Sequence, residues 1–258
     1  MTNNNLIDYS ILFLSKNKPY ASEAAEIVKK HIKHPTIVFG EISDPFPSYL
    51  LEKKFDYIIS YISPWIVPKI ALKNAKIASI NFHPGPPEYP GIGCTNFAIY
   101  NEEKEFGITI HHMEEKVDSG KIIMVKRFPI FKNETVYSLT QRCYAFIYVA
   151  FVEIMDFIIR GLKLPECNIE WKRKPYTRKE LNELCVITKD MPEEEVRKRV
   201  KATSFPNMPG AYLDLWGIKF KADYRNANEQ SINKKADTDS GGGRTRKGPD
   251  IFSRSLAA

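Results

Sequence analysis

Asn81 and His83 stand two residues apart just after an apolar run, Ile77-Ala78-Ser79-Ile80, and Asp118 follows further on in Val117-Asp118-Ser119-Gly120. An amide, an imidazole and a carboxylate are the parts of an acyl-transfer site. A neutral amide donates a hydrogen bond to a developing oxyanion without competing for the proton. An imidazole titrates near neutrality, so His83 can take or supply a proton. A carboxylate beside it favours the charged ring and orients it, a natural role for Asp118, which could also handle the proton through a water. The residues leave open which of His83 and Asp118 is the working base.

Positioning these groups is the work of the elements around them. Ile77 to Ile80 reads as a buried strand, and side chains on a strand repeat every two residues, so Asn81 and His83 leave it on one face. Pro84-Gly85-Pro86-Pro87-Glu88-Tyr89-Pro90-Gly91 follows, and its prolines and glycines hold the backbone extended and non-helical. Gly107 to Met113, rich in β-branched residues, reads as a second strand, with Asp118 in the loop before Ile122-Ile123-Met124-Val125 and braced by Gly120. One of His111 and His112 must face inward from that strand, as a hydrogen-bonded core histidine or as a ligand contact.

Earlier in the chain, Ser10 to Leu14 is a short apolar run of the kind found in parallel strands. Pro19 opens a helical pattern with Ala21, Ala24, Ile27, Val28 and Ile32 at helix spacing. Thr36 to Phe39 and Tyr57 to Ile62 are the next strands, and the alternation predicts an α/β fold with a Rossmann-like doubly wound sheet. The first strand-to-helix turn, Ser15-Lys16-Asn17-Lys18-Pro19, has no glycine, which argues against a dinucleotide site. Ser63-Pro64-Trp65 predicts a helix start with Trp65 in the core, and Cys94 to Tyr100 a short helix. Asn133 is the expected cap of a long amphipathic helix that Gly161 closes. Its aromatic residues are expected in the core or at a subunit contact.

Beyond Pro165 come helical patterns around 177–184 and 192–202, then Ala211 to Leu215 and Ile218 to Phe220 joined by Trp216-Gly217, which predicts a hairpin. The expected domains are 1–164, a small β-containing C-terminal domain at 165–225, and a polar, disordered tail at 226–258.

Composition bounds the function. The chain has 258 residues, 43% hydrophobic and 27% charged, with formal charge +7, of which +3 lies from Ser231 onward. Elsewhere Lys and Arg alternate with Glu, as in Glu193 to Arg199, which reads as a solvated helix face, so no nucleic-acid partner is expected. Cys94, Cys143, Cys167 and Cys185 form no CxxC pair, and no Gly-x-Ser-x-Gly elbow or His-Glu-x-x-His pattern occurs. No metal is expected. The apolar Phe146 to Ile159 stretch is too short to span a bilayer and contains Glu153 and Asp156. A soluble cytoplasmic protein without membrane partner or signal peptide is the expectation.

Asn-x-His after one strand and Asp-Ser-Gly between two others resemble the formyltransferases that use 10-formyltetrahydrofolate. The resemblance runs from about Ser10 to Phe220 and is strongest over Asn81 to Gly120. It implies Asn81, His83 and Asp118 as the catalytic set in an N-terminal formyltransferase domain. It also implies Ser63, Pro64, Trp65, Ile66, Met113 and Val117 as contacts of the co-substrate 10-formyltetrahydrofolate, the first segment largely through main-chain atoms. The proline-rich loop looks most like that of the sugar nucleotide branch. Pro86, Pro87, Glu88, Tyr89 and Gly91 are therefore expected to wall the acceptor site. The implied acceptor is a nucleotide-linked amino-deoxy sugar, a dTDP-4-amino-4,6-dideoxyhexose for surface glycan of the lipopolysaccharide O-antigen type, in a possible homodimer. The alternatives are a methionyl-tRNA formyltransferase, whose relatives carry a larger C-terminal domain and a Leu-Leu-Pro loop, and a non-catalytic folate-binding homologue.

Overall fold

The computed structural model describes residues 6–222. The strand expected at Ser10 to Leu14 is β1, Ile7–Ser15, with Ile11 to Leu14 buried on both sides. Helix α1, Ala21–His31, packs its Ala21, Ala24, Ala25 and Val28 stripe inward and leads into β2, Ile32–Phe39. Ile32 thus belongs to the strand and not to the helix, whose stripe ends at Val28; the apolar spacing alone carries it one turn too far. β3 is Phe55–Tyr61 and β4 is Ala75–His83, with the single-turn helix α2, Lys69–Leu72, between them. α3, Cys94–Tyr100, precedes β5, Glu105–His112, and β6, Ile122–Pro129.

These six strands make one sheet in the order β2-β1-β3-β4-β5-β6. The first four are parallel, and β5 and β6 run antiparallel. The order reverses at β1, so the chain leaves β1 and β3 in opposite directions and opens a crevice at their C-terminal ends, where α/β sheets bind ligands. Alternation sends Ala78, Ile80 and Phe82 of β4 into the main core beneath α1 and the long helix α4, Val136–Ile159. Asn81 and His83 therefore face the other side. Ile77 departs from the expected buried run: it is 52% exposed, because burial of β4 begins only at Ala78.

The N-cap of α4 is Thr135, not Asn133. Thr135 Oγ1 accepts from Ser138 N at 3.0 Å and Ser138 Oγ accepts from Thr135 N at 2.9 Å, a reciprocal box that satisfies two otherwise orphaned donors. Asn133 is exposed one residue before the buried Glu134, whose carboxylate pairs with Arg142. Trp65 likewise is not at a helix start. It is partly buried in a loop, donating its indole N–H to the carbonyls of Asp44 and Pro45.

After α4 an irregular segment leads to α5, Arg178–Leu184, then β7, Val186–Ile187, and α6, Glu193–Thr203. β8, Tyr212–Leu215, and β9, Ile218–Lys221, form the hairpin, with Trp216 and Gly217 both at positive φ, and β7 joins them in a three-stranded sheet. Leu184 and Ala202 are part of the main core. Residues 223–225 and the tail expected at 226–258 lie outside the described residues. Among the described residues no helix is long and apolar enough to cross a membrane.

Thr135→Ala is expected to lower stability by about 1 kcal/mol, the usual value of such a cap, and Asn133→Ala to leave it within about 0.5 kcal/mol. Urea unfolding of the two variants measures the difference.

Candidate active site

The antiparallel pairing of β4 with β5 sets Asn81 opposite His111 and His83 opposite Thr109. Paired residues share a face, so His111 joins Asn81 and His83 on the open side of the sheet and His112 points to the helical side. Of the two adjacent histidines, His111 is thus the one in the site.

Asp118 lies between these side chains. It is 6% exposed and sits at φ 44, left-handed backbone that is uncommon for a residue with a side chain. Its Oδ2 is 3.2 Å from His83 Nδ1 and accepts the Gly91 N–H at 2.7 Å. Its Oδ1 is 3.2 Å from His111 Nε2 and 3.5 Å from Asn81 Nδ2. Burial alone would raise this carboxyl. The charge of His83, the hydrogen bond and charge of His111 and the Gly91 N–H outweigh burial and hold it at about 2.

The far nitrogen of each imidazole is also committed. His83 Nε2 is 2.9 Å from the Tyr89 carbonyl and His111 Nδ1 is 2.8 Å from the His112 carbonyl. A carbonyl oxygen only accepts, so each ring carries a proton on that nitrogen and turns the other toward Asp118. A proton between either ring and Asp118 makes that ring an imidazolium. The cluster therefore turns both imidazoles toward one carboxylate, and Asn81 Nδ2, 3.0 Å from His111 Nε2, is held at its edge.

Two glycines are required by this geometry. Gly91 sits at φ +88, and a Cβ there would collide with the main chain of Tyr176, displacing the N–H that Asp118 accepts. At Gly120 a Cβ would collide with the His112 carbonyl oxygen, so only glycine lets the Asp118 loop return to the sheet.

Asn81, His111 and Asp118 open onto a cleft of about 80 Å³ that Trp65, Ile66, Met113 and Val117 also line. Four of the six residues expected at a folate site thus share a cleft with Asn81 and Asp118. Ser63 and Pro64 are not in the lining; Ser63 Oγ instead accepts from Trp65 N at 3.1 Å and turns the backbone.

The proline-rich loop packs largely inward. The Tyr89 side chain is 4% exposed, packed beside Phe106 and Tyr176, and its hydroxyl donates to Glu103 at 2.6 Å. Pro86 and Pro87 are buried and Glu88 pairs with Arg127. Tyr89 meets the cluster through its carbonyl on His83 and Gly91 through its N–H on Asp118, and none of Pro86, Pro87, Glu88, Tyr89 and Gly91 lines the larger of the two clefts. A buried aromatic ring in a rigid loop and an exposed one read alike in a sequence.

A larger cleft of about 540 Å³ starts where that loop ends, at Pro84 and Ile92. Lys16 and Lys18 line it from the turn after β1, Arg178 from α5 and Lys219 from β9, and among the described lining residues there is no carboxylate. Burial, then the neighbouring Lys18, pull the Lys16 ammonium below its ordinary value against the opposing charge of Glu41. The glycine-free turn that argued against a dinucleotide supplies these two lysines. Sequence reasoning did not single them out, since charges on separate elements show no spacing. Among the described residues no group of three or more His, Cys, Asp and Glu is disposed to hold a metal ion.

Residues 4–155 match the formyl transferase family. The GDP-perosamine N-formyltransferase of Brucella melitensis is 30% identical over 167 residues, covering 63% of this chain and 62% of that protein. The methionyl-tRNA formyltransferase of Lactobacillus gasseri is 29% identical over 175 residues, 67% of this chain and 54% of that protein. The chain thus spans less than two thirds of the length of these curated relatives. Among solved structures, an N-formyltransferase from Helicobacter canadensis in complex with folinic acid and dTDP-3-aminofucose superposes with a TM-score of 0.62 at 20% identity. That likeness covers 81% of this chain and 85% of the other, and shows a shared fold.

The depressed Asp118 carboxyl has a consequence for acid stability. Its ordinary value is 3.8 and its folded value about 2, so its contribution is fully present above pH 4 and is lost as pH falls through 2. That contribution is roughly 2 kcal/mol. Between pH 5 and pH 2 the wild type should lose about that much more unfolding free energy than Asp118→Asn, measured by urea titration at each pH.

Proposed function

The chain belongs to the formyl transferase family, and on that premise we propose that it moves a formyl group from 10-formyltetrahydrofolate to the amine of a nucleotide-linked amino sugar. The observation that carries this reading is the closed cluster of Asn81, His83, His111 and Asp118 at one end of the apolar cleft, beside an acid-free basic cleft.

The donor supplies the formyl carbon as an activated amide. Trp65, Ile66, Met113 and Val117 give its ring system apolar walls, as Asn81 and Asp118 face the same space. The Asn81 amide stands at the edge of the cluster facing the cleft, placed to donate to negative charge on the formyl oxygen as the amine adds. The attacking amine must lose a proton. Asp118, ionised at neutral pH and backed by two imidazoles, receives it; as the adduct collapses, the bond from the formyl carbon to the donor nitrogen breaks and that nitrogen takes the proton from Asp118, so that tetrahydrofolate leaves neutral. Burial of the cluster keeps water from competing for the formyl carbon.

The acceptor enters from the basic cleft. Its volume of about 540 Å³ suits a nucleotide-sized ligand, and Lys16, Lys18, Arg178 and Lys219 offer charge to a diphosphate. The relative that acts on GDP-perosamine and the structure that holds dTDP-3-aminofucose support a sugar nucleotide acceptor. The finer reading is a dTDP-4-amino-4,6-dideoxyhexose destined for surface glycan, formylated in the cytoplasm by a homodimer of this chain.

With 10-formyltetrahydrofolate and a panel of dTDP- and GDP-linked 3- and 4-amino sugars, mass spectrometry should find one formyl group added to a sugar amine. Formylation of charged initiator tRNA with no product from any sugar would overturn the reading. His83→Ala and Asp118→Ala should each lower turnover at least about a hundredfold, the scale of a lost proton-transfer group. Lys16→Ala and Arg178→Ala should instead raise KM for the sugar nucleotide about tenfold with kcat within about threefold, as expected for contacts made equally in ground and transition states.

A further inference from the structure

Trp171 lies in the irregular segment between α4 and α5, on no element whose pattern marks it. Its ring centroid is 5.0 Å from that of His111 and 5.8 Å from that of His83, edge-on to both at 87° and 72°. Its indole N–H donates to the Gly120 carbonyl at 2.9 Å. One side chain thus touches both imidazoles that flank Asp118 and the loop that carries Asp118.

The segment it belongs to is pinned to the proline-rich loop at three points. Lys172 N donates to the Pro87 carbonyl at 3.0 Å and Tyr176 N to the Pro90 carbonyl at 2.8 Å, while Ile92 N donates to the Tyr176 carbonyl at 3.0 Å. These bonds fix the main chain on which Trp171 stands against the same loop whose Tyr89 carbonyl and Gly91 N–H hold His83 and Asp118.

We propose that Trp171 is a positioning residue for formyl transfer: its ring covers His83 and His111, and its N–H locks the Asp118 turn through Gly120. The proposal rests on the formyl-transfer reading above. Asp118 occupies left-handed backbone in a short loop, and such a conformation persists only where its surroundings over-determine it. The bond from Trp171 to Gly120 is one such constraint, two residues from Asp118. The imidazoles have little freedom while the indole closes their exposed side, so each keeps one nitrogen on its main-chain carbonyl and the other on Asp118. Without the ring, water reaches Asp118 and the two imidazoles, weakens their mutual attraction and leaves the imidazoles free to turn. Trp171 touches no reacting atom in this account; it acts through His83, His111 and Asp118.

The test compares Trp171→Ala, which loses ring and donor, with Trp171→Phe, which keeps an aromatic cover and loses the N–H. With the acceptor identified from the sugar panel, kcat should fall about a hundredfold in Trp171→Ala and about tenfold in Trp171→Phe. KM for donor and acceptor should stay within about threefold in both. A second readout needs no substrate: the Asp118 carboxyl carbon, followed by NMR from pH 6 down to pH 3. The groups facing this carboxyl are His83, His111, the Gly91 N–H, the Asn81 amide and the Cys94 thiol. In the wild type it should stay ionised to pH 3, and in Trp171→Ala it should be partly protonated by about pH 4. Should Trp171→Ala not fold, Trp171→Phe alone carries the test, with half-protonation displaced in the same direction. Turnover within threefold of wild type, or an unmoved carboxyl titration, in the folded variant with the larger truncation would overturn the role of Trp171. A wild type that formylates no acceptor would overturn the functional reading instead, and the carboxyl titration would still decide the role of Trp171.

Discussion

A buried carboxylate between two imidazoles is the constraint around which the site is built. Asp118 is ionised at about 2, with almost no exposure to water, so its charge must be met by neighbours. His83, His111 and the Gly91 N–H meet it, and each comes from a different piece of chain: the end of β4, the end of β5 and the proline-rich loop. An uncompensated buried carboxylate would cost several kcal/mol, so these three pieces are tied together by one side chain. The same carboxylate that would receive the amine proton therefore also closes the loops over the sheet edge.

Rigidity around this cluster comes from main chain more than from side chains. Tyr89 holds His83 by its carbonyl and His112 holds His111 by its own, and a carbonyl partner selects the tautomer as well as the ring orientation. The prolines fix the course of the loop that supplies one of those carbonyls. The Tyr89 ring, stacked on Tyr176 and bonded to Glu103 and Asn101, anchors that loop to the body of the fold. The segment from Trp171 to Tyr176 then closes over it by backbone bonds. A loop without regular secondary structure is in this way as fixed as a strand. Groups pre-organised in this way need not reorganise at the moment of reaction.

The two clefts differ in chemistry, as the proposed two-substrate transfer requires. One is small and walled by Trp65, Ile66, Met113 and Val117; the other is larger, basic and free of carboxylates among its described lining residues. The basic cleft draws on the turn after β1, the start of α3, helix α5 and the β8–β9 hairpin.

The sequence by itself determined the parallel start of the sheet, the two strands that flank the site and the candidacy of Asn81, His83 and Asp118. Those are local facts: an apolar run, a period of two and a glycine two residues past an aspartate are readable within a few residues. The helix cap moved from Asn133 to Thr135 because a capping box depends on which hydroxyl meets which N–H, and two polar residues in one turn do not decide that. Only the tertiary structure decided that His111 belongs to the site, because the register of β4 on β5 sets it opposite Asn81. It also turned Tyr89 inward, where its ring gains a packed aromatic neighbourhood and two hydrogen bonds that an exposed tyrosine lacks. Trp171, Lys16, Arg178 and Lys219 converge from separate elements, and convergence across the fold leaves no period or spacing in the chain.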